Sequence, residues 1–391
     1  MDLGQQIREA YAREHAAAAP ATGIDDLPLS YDAMTDAWLT AVLCHGVTGA
    51  HVVSHALDEA DDGTNNRRRV FVTYDEAGQR AGLPPSVFCK ATHGLSNRLM
   101  LGHSNGIQCE VTFYSKIRDR LAMEAPQAYL ANYDPVSFNS IVVLEDIAPR
   151  AHFCAYNDTI TRERAEAMVD LLVRLHARFY DAPELFDDFA ALPTWAQRFN
   201  NFRVFHLEES CTAGFEASEA FVPARLYARR DEIWPATIRT LELQRDLPLC
   251  LCHGDVHLKN WYVTNDGRPG LGDWGSVIKG HWSRDVAYTL STALTTPDRR
   301  AWEQDLLRRY LAGMAAQGVA MPSFDEAFLL YRQSLMTSLA WWTLNVKPSS
   351  PDFPLMHERE HIETFVSRMA HAIDDLDALD ACTRAPADAT V

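Results

Sequence analysis

The chain has no run of ~20 uncharged apolar residues, the length a membrane-spanning helix requires. Its most apolar stretch, Phe328 to Val346, is broken by Arg332 and several polar residues, so no membrane span is expected. The N-terminus carries Asp2 and Glu9 and no apolar segment, which argues against a secretory signal. Cys-x-x-Cys occurs nowhere, and apart from Cys250 and Cys252 the eight cysteines stand singly; free thiols in a reducing, cytoplasmic setting are expected. There is no internal repeat. A basic footprint is missing too: 36 Lys and Arg against 53 Asp and Glu leave a net charge of −17, which speaks against nucleic acid as a partner. That acidity is spread over both halves of the chain and reads as solubility, not as a cation-binding patch.

What is present is enough chain for two lobes and a substantial core, 391 residues of which 47% are hydrophobic. One stretch organises the rest: Leu251-Cys252-His253-Gly254-Asp255-Val256-His257-Leu258-Lys259-Asn260, followed by Asp273-Trp274-Gly275. Phosphoryl transfer from a nucleotide needs a carboxylate to hold the attacking hydroxyl and two oxygen ligands for magnesium. Asp255 is the candidate base, and Asn260 and Asp273 are the candidate ligands. The spacing Asp-x4-Asn is that of the protein-kinase catalytic loop, and Asp-Trp-Gly stands where that family has Asp-Phe-Gly. Trp261-Tyr262-Val263 reads as a strand, Asn265-Asp266-Gly267 as a turn, and Gly270-Leu271-Gly272 as the return strand. Such a hairpin would bring Asn260 and Asp273 together at its open end. Cys250, Cys252, His253 and His257 also invite a zinc reading. Against it, Cys-x-Cys puts both thiols on one face of a strand, and Pro248 to Cys252 reads as a buried strand in which cysteine is a small hydrophobe.

With these motifs the chain resembles the aminoglycoside phosphotransferase and choline kinase group of the protein-kinase-like superfamily, most of all its ecdysteroid-kinase-like (CHK kinase-like) branch. The strong motifs lie in residues 253–287 and weaker ones run back to about residue 63. The resemblance implies a two-lobed, protein-kinase-like α+β fold, with residues 1–146 as a nucleotide-binding lobe built on a small antiparallel sheet. Residues 147–391 would then form a mostly helical catalytic and acceptor-binding lobe. It implies ATP and Mg2+ as cofactors and a small-molecule hydroxyl as acceptor. Lys90, ending the strand Ser86 to Lys90, resembles the lysine that touches the non-transferred phosphates. Glu110, in Glu-x-x-Phe-Tyr on a helix over 107–120, is its expected partner; Glu124 is the alternative, but it lies close to Pro126, where the helix should have ended. Gly63 sits in the loop Asp58 to Arg68, where the family covers the nucleotide, although no full Gly-x-Gly-x-x-Gly is present. Leu144-Glu145-Asp146-Ile147 resembles the segment joining the lobes, so adenine is expected to meet the backbone between Leu144 and Ile147, including Glu145 and Ile147. His257 would contact the γ-phosphate or brace the loop. Asp285 would brace the loop, and His176 reads as a core histidine.

The acceptor is open among sterol-like alcohols, aminoglycosides, choline-like amino alcohols and sugars. An apolar or amphipathic alcohol is expected, because no concentrated acidic run precedes the tail and because Phe324, Phe328, Tyr331, Leu335, Trp341 and Trp342 offer aromatic and aliphatic surface. A nucleotide-binding pseudokinase is the reading that the complete Asp255, Asn260 and Asp273 set opposes. A protein kinase is opposed by the lack of an Ala-Pro-Glu segment after Asp273.

Overall fold

Val70, Val72 and Tyr74 are buried and alternate with exposed Phe71 and Thr73, the period of two that a half-buried strand requires. In a computed structural model, which describes residues 2–349 and 357–384, this strand belongs to the first of two units. Unit 1 comprises Met1–Arg120 with Ala125–Arg150, and unit 2 comprises Leu121–Glu124 with Ala151–Val391.

Unit 1 is built on an antiparallel sheet of β1 (Val52–Leu57), β2 (Asp61–Asp62), β3 (Asn66–Tyr74), β4 (Ser86–Ala91), β5 (Ala128–Tyr133) and β6 (Ser140–Glu145). The strand order is β1-β3-β4-β6-β5, with β2 paired to β3. β4 is therefore central, and its Lys90 lies opposite Arg67 on one side and Val142 on the other. The Thr35 hydroxyl caps the helix Asp36–Leu43 by accepting from the Trp38 amide. Trp38, Leu39 and Val42 then enter one apolar cluster with Val70, Val87, Cys89 and Ile141.

Three local features complete unit 1. Part of the loop Asp58 to Arg68 folds as a tight hairpin, with Asp61 opposite Arg67 and Asp62 opposite Asn66. The segment between β4 and Glu110 holds the helix Leu95–His103. Leu95, Leu99 and Leu101 pack against Ile7, Ile107 and Phe138, and Arg98, fully buried, donates to the Thr92 carbonyl and pairs with Glu14. The helix expected over 107–120 is Gly106–Thr112, continued by a wider π-type turn over Phe113–Ile117 and a tight turn over Arg118–Arg120.

Unit 2 carries two small antiparallel sheets. β7 (Ala151–Phe153), β9 (Trp261–Thr264) and β10 (Pro269–Leu271) form one; β8 (Cys250–Cys252) and β11 (Ile278–Gly280) form the other. The remainder is mostly helical, with Arg162–Arg178, Thr296–Ala316, Phe324–Thr343 and Arg359–Asp375 the longest helices. At their centre the helix Trp282–Ala293 is buried at every residue. Tyr331, Leu335 and Trp342, expected to offer surface, are at most 1% exposed and belong to this core. The rings of Phe324, Phe328 and Tyr331 stack in file along their own helix. A small antiparallel sheet in one unit and a mostly helical second unit is the two-lobed, kinase-like α+β fold that the sequence implied. Among the described residues, no helix is long and apolar enough to cross a membrane.

Candidate active site

β8 is fully buried and delivers the chain into the loop His253 to Asn260. Gly254 has φ +82°, and a Cβ there would stand 2.2 Å from the Ser276 carbonyl oxygen, so only glycine fits the turn that presents Asp255. The turn is held from below by the helix Trp282–Ala293. The Asp285 carboxylate accepts from the backbone amides of His253 (2.7 Å) and Gly254 (3.2 Å), and Arg284 donates to the Gly254 carbonyl (2.5 Å). Asp285 thus braces the loop as the sequence implied. Behind it stands His176, wholly buried, with Nδ1 at 2.8 Å from the Tyr310 hydroxyl and Nε2 at 3.5 Å from Asp285. Burial, the largest influence, opposes charge on His176, but the hydrogen bonds and charges of Asp285 and Cys252 together outweigh it and lift the imidazole to about 9. Burial likewise works against charge on Asp285, and the bond from His176 holds its carboxyl below the usual range. The pair is a buried ion pair under the loop.

His253 ties this loop to the hairpin. Its Nδ1 accepts from the Asp255 amide (3.2 Å), so Nε2 carries the proton and donates to the Gly272 carbonyl (2.9 Å). In the hairpin, Trp261 pairs with Leu271, and the Gly272 amide donates to the Asn260 carbonyl at 2.9 Å. The expected hairpin is therefore present, and Asn260 and Asp273 flank its open end. The Asn260 side-chain amide donates to the Asp255 carbonyl (2.8 Å), which leaves Oδ1 as the atom able to hold a hard cation. Asp273 sits at φ 58°, a left-handed conformation that aspartate adopts more readily than most residues.

The Asp255 side chain is 22% exposed. Burial, and next the negative charge of Asp273, push its carboxyl up. Tyr288 donates to Asp255 Oδ1 at 2.9 Å, and Trp342 Nε1 donates to the Tyr288 oxygen at 2.5 Å. His257 Nε2 lies 3.6 Å from Asp255 Oδ2, and its ring meets Trp342 edge-on at 5.2 Å. Burial pushes this imidazole down to about 3, so it is neutral. Tyr288 and Trp342 were not anticipated here. The available signal was spacing: Tyr288 follows Asp285 by three positions on a helix and so shares its face.

Unit 1 holds Lys90, Glu110, Gly63, Glu145 and Ile147. Lys90 Nζ lies 2.5 Å from Glu110 Oε1, both side chains 6% exposed. Glu124, the alternative partner, instead accepts from the Tyr262 hydroxyl and pairs with Arg268. Gly63 is at the tip of the β2–β3 hairpin, where Asn97 donates to the carbonyls of Gly63 and Thr64. Glu145 pairs with Arg150, and the carbonyl of the buried Ile147 accepts from the Arg150 amide.

The zinc donor set does not assemble. Among the described residues, His176, Cys250 and Cys252 bring ligand atoms within 4.8 Å of one another. Both nitrogens of His176 already have partners, however, and both nitrogens of His253 are engaged elsewhere.

Several solved structures are similar to this chain. Aminoglycoside 2'-phosphotransferase-IIIa in its GDP complex shares 11% identity over 89% of this chain and 100% of its own, with a TM-score of 0.49. A choline kinase from Streptococcus pneumoniae shares 13% identity over 83% and 94%, with a TM-score of 0.46. An ethanolamine kinase from Plasmodium vivax shares 13% identity over 82% and 81%, with a TM-score of 0.45. Likeness at this level carries neither substrate nor nucleotide across. Among curated proteins nothing matches. The family model described as "Phosphotransferase enzyme family" matches residues 95–319, more than half of the chain, a segment that runs through Asp255, Asn260, Asp273 and Asp285. The chain belongs to the phosphotransferase enzyme family and is thereby a small-molecule kinase.

Proposed function

We propose that this enzyme transfers the γ-phosphate of ATP to a hydroxyl of a small molecule. Asp255 takes the acceptor proton, the acceptor oxygen bonds to phosphorus, and the bond from phosphorus to the ADP oxygen breaks. The observation that carries the reading is the hydrogen-bonded frame in which His253 and Asn260 tie Asp255 to the hairpin that ends at Asp273. The donors suit magnesium: an amide oxygen and a carboxylate are hard ligands. Bound there by Asn260 and Asp273, Mg2+ would neutralise phosphate charge. Lys90, oriented by Glu110, would hold the non-transferred phosphates, with the Gly63 hairpin and the backbone around Glu145 and Ile147 serving the rest of the nucleotide. Residues 1–146 would thus be the nucleotide lobe and residues 147–391 the catalytic and acceptor lobe. The Glu110-x-x-Phe113-Tyr114 helix favours the ecdysteroid-kinase-like branch, and with it an apolar or amphipathic alcohol. The test is ATP consumption with a panel of hydroxylated sterols, other amphipathic alcohols and kanamycin-type aminoglycosides, with mass analysis of the products. Phosphorylated alcohol is the expected outcome; efficient turnover of the aminoglycosides alone would refute the acceptor class.

A further inference from the structure

We propose that Tyr288 and Trp342 are positioning residues that commit one oxygen of Asp255 to the protein and leave the other for the acceptor. The inference rests on the phosphoryl-transfer reading above. An indole N–H can only donate. With Trp342 Nε1 donating to the Tyr288 oxygen at 2.5 Å, the phenol proton is directed onward, to Asp255 Oδ1 at 2.9 Å. The sense of the chain Trp342, Tyr288, Asp255 is therefore fixed by chemistry.

Both relay side chains are shielded from water, Tyr288 at 0% and Trp342 at 1% exposure. Trp342 is wedged by His357, stacked at 4.7 Å, and by Phe365 at 4.7 Å. Tyr288 stands on the same fully buried helix as Asp285, which holds the His253 and Gly254 amides. One rigid helix thus fixes both the backbone of the base and one of its two oxygens. The second oxygen, Oδ2, is 3.6 Å from His257 Nε2, beyond a normal hydrogen bond. In the transfer, the acceptor O–H bond breaks and an Oδ2–H bond forms, while the acceptor oxygen displaces the nucleoside diphosphate from phosphorus. The Tyr288 proton stays where it is. Without the relay the carboxylate can rotate about its Cβ–Cγ bond and the productive orientation is diluted.

The test uses the full chain in two arms. In the kinetic arm, Tyr288→Phe removes one hydroxyl and keeps the ring. With ATP and the alcohol giving the fastest turnover in the panel, kcat is expected to fall about tenfold or more, with the KM for ATP within about twofold of wild type. Trp342→Phe is expected to lower kcat less, and to have no further effect in the Tyr288→Phe background. In the second arm, urea unfolding of Asp255→Ala, Tyr288→Phe and the double variant reads the bond without any activity, and the two effects are expected to be less than additive. Additive unfolding effects would mean the bond is absent and overturn the proposal. Non-additive unfolding with kcat within twofold of wild type would make the contact purely structural and overturn it equally. Should Trp342→Phe not fold, the Tyr288→Phe arms decide alone. If the wild type turns over no alcohol, the parent reading fails and the positioning role falls with it, even where the unfolding coupling persists.

Discussion

At the scale of single residues, the account depends on Asp255. Asp255→Asn keeps the size of the side chain and its bond from Tyr288 but removes the base. Turnover is expected to fall by about 10²–10⁴-fold, while ATP still stabilises the variant in thermal unfolding; a rate within twofold of wild type would remove Asp255 from the chemistry. Asp273→Ala is expected to abolish the magnesium-dependent part of the thermal stabilisation by ATP, and its full retention would undo the metal assignment. The loop and hairpin that carry Asp255, Asn260 and Asp273 were legible in the sequence because the turn residues and strand pattern between Asn260 and Asp273 specify them. The choice of Glu110 over Glu124 was legible because Pro126 limits the helix, and the Lys90–Glu110 pair forms at 2.5 Å. Tyr288 and Trp342 were not, because a hydroxyl meets a carboxylate 33 positions away only once the helices have packed. Trp342 read as a pocket ring when its indole nitrogen is in fact part of the polar frame.

At the scale of elements, the helices Arg162–Arg178 and Trp282–Ala293 are joined by the buried pair of His176 and Asp285. His176 is raised from 6.5 to about 9. Its contribution to stability is therefore complete below pH 6.5 and is lost as pH rises through about 9. Asp285 is lowered, so its contribution is present above the ordinary carboxylate value and is lost only as pH falls below it. The protein should accordingly lose on the order of 2–3 kcal/mol of unfolding free energy between pH 6.5 and pH 9 and above. Chemical denaturation across that range checks it. His176→Gln should flatten the alkaline decline, and an undiminished decline in that variant would assign it to other groups. The hairpin from Trp261 to Leu271 was readable from its Asn265-Asp266-Gly267 turn, with Gly267 at φ +86°. β5 and the helix Leu95–His103 were not readable. The strand is intermediate at nearly every position and lacks alternation, and the helix is short and places a buried arginine among its leucines.

At the scale of the whole molecule, the α+β architecture followed from a strand-rich first part and a helix-rich second part, each with its own core. The acceptor did not follow, because Tyr331, Leu335 and Trp342, which looked available, are consumed in packing the helices of unit 2. The claim that joins all three scales is that this family member moves the γ-phosphate of ATP to an alcohol with Asp255 as base. The most direct measurement incubates wild type and Asp255→Asn with γ-18O-labelled ATP, Mg2+ and the alcohol panel, and weighs the products by mass spectrometry. The account predicts a labelled phosphate ester of an alcohol with wild type and its loss by at least about 10²-fold with the variant. No phosphate ester from wild type, or equal yields from the two proteins, would contradict it.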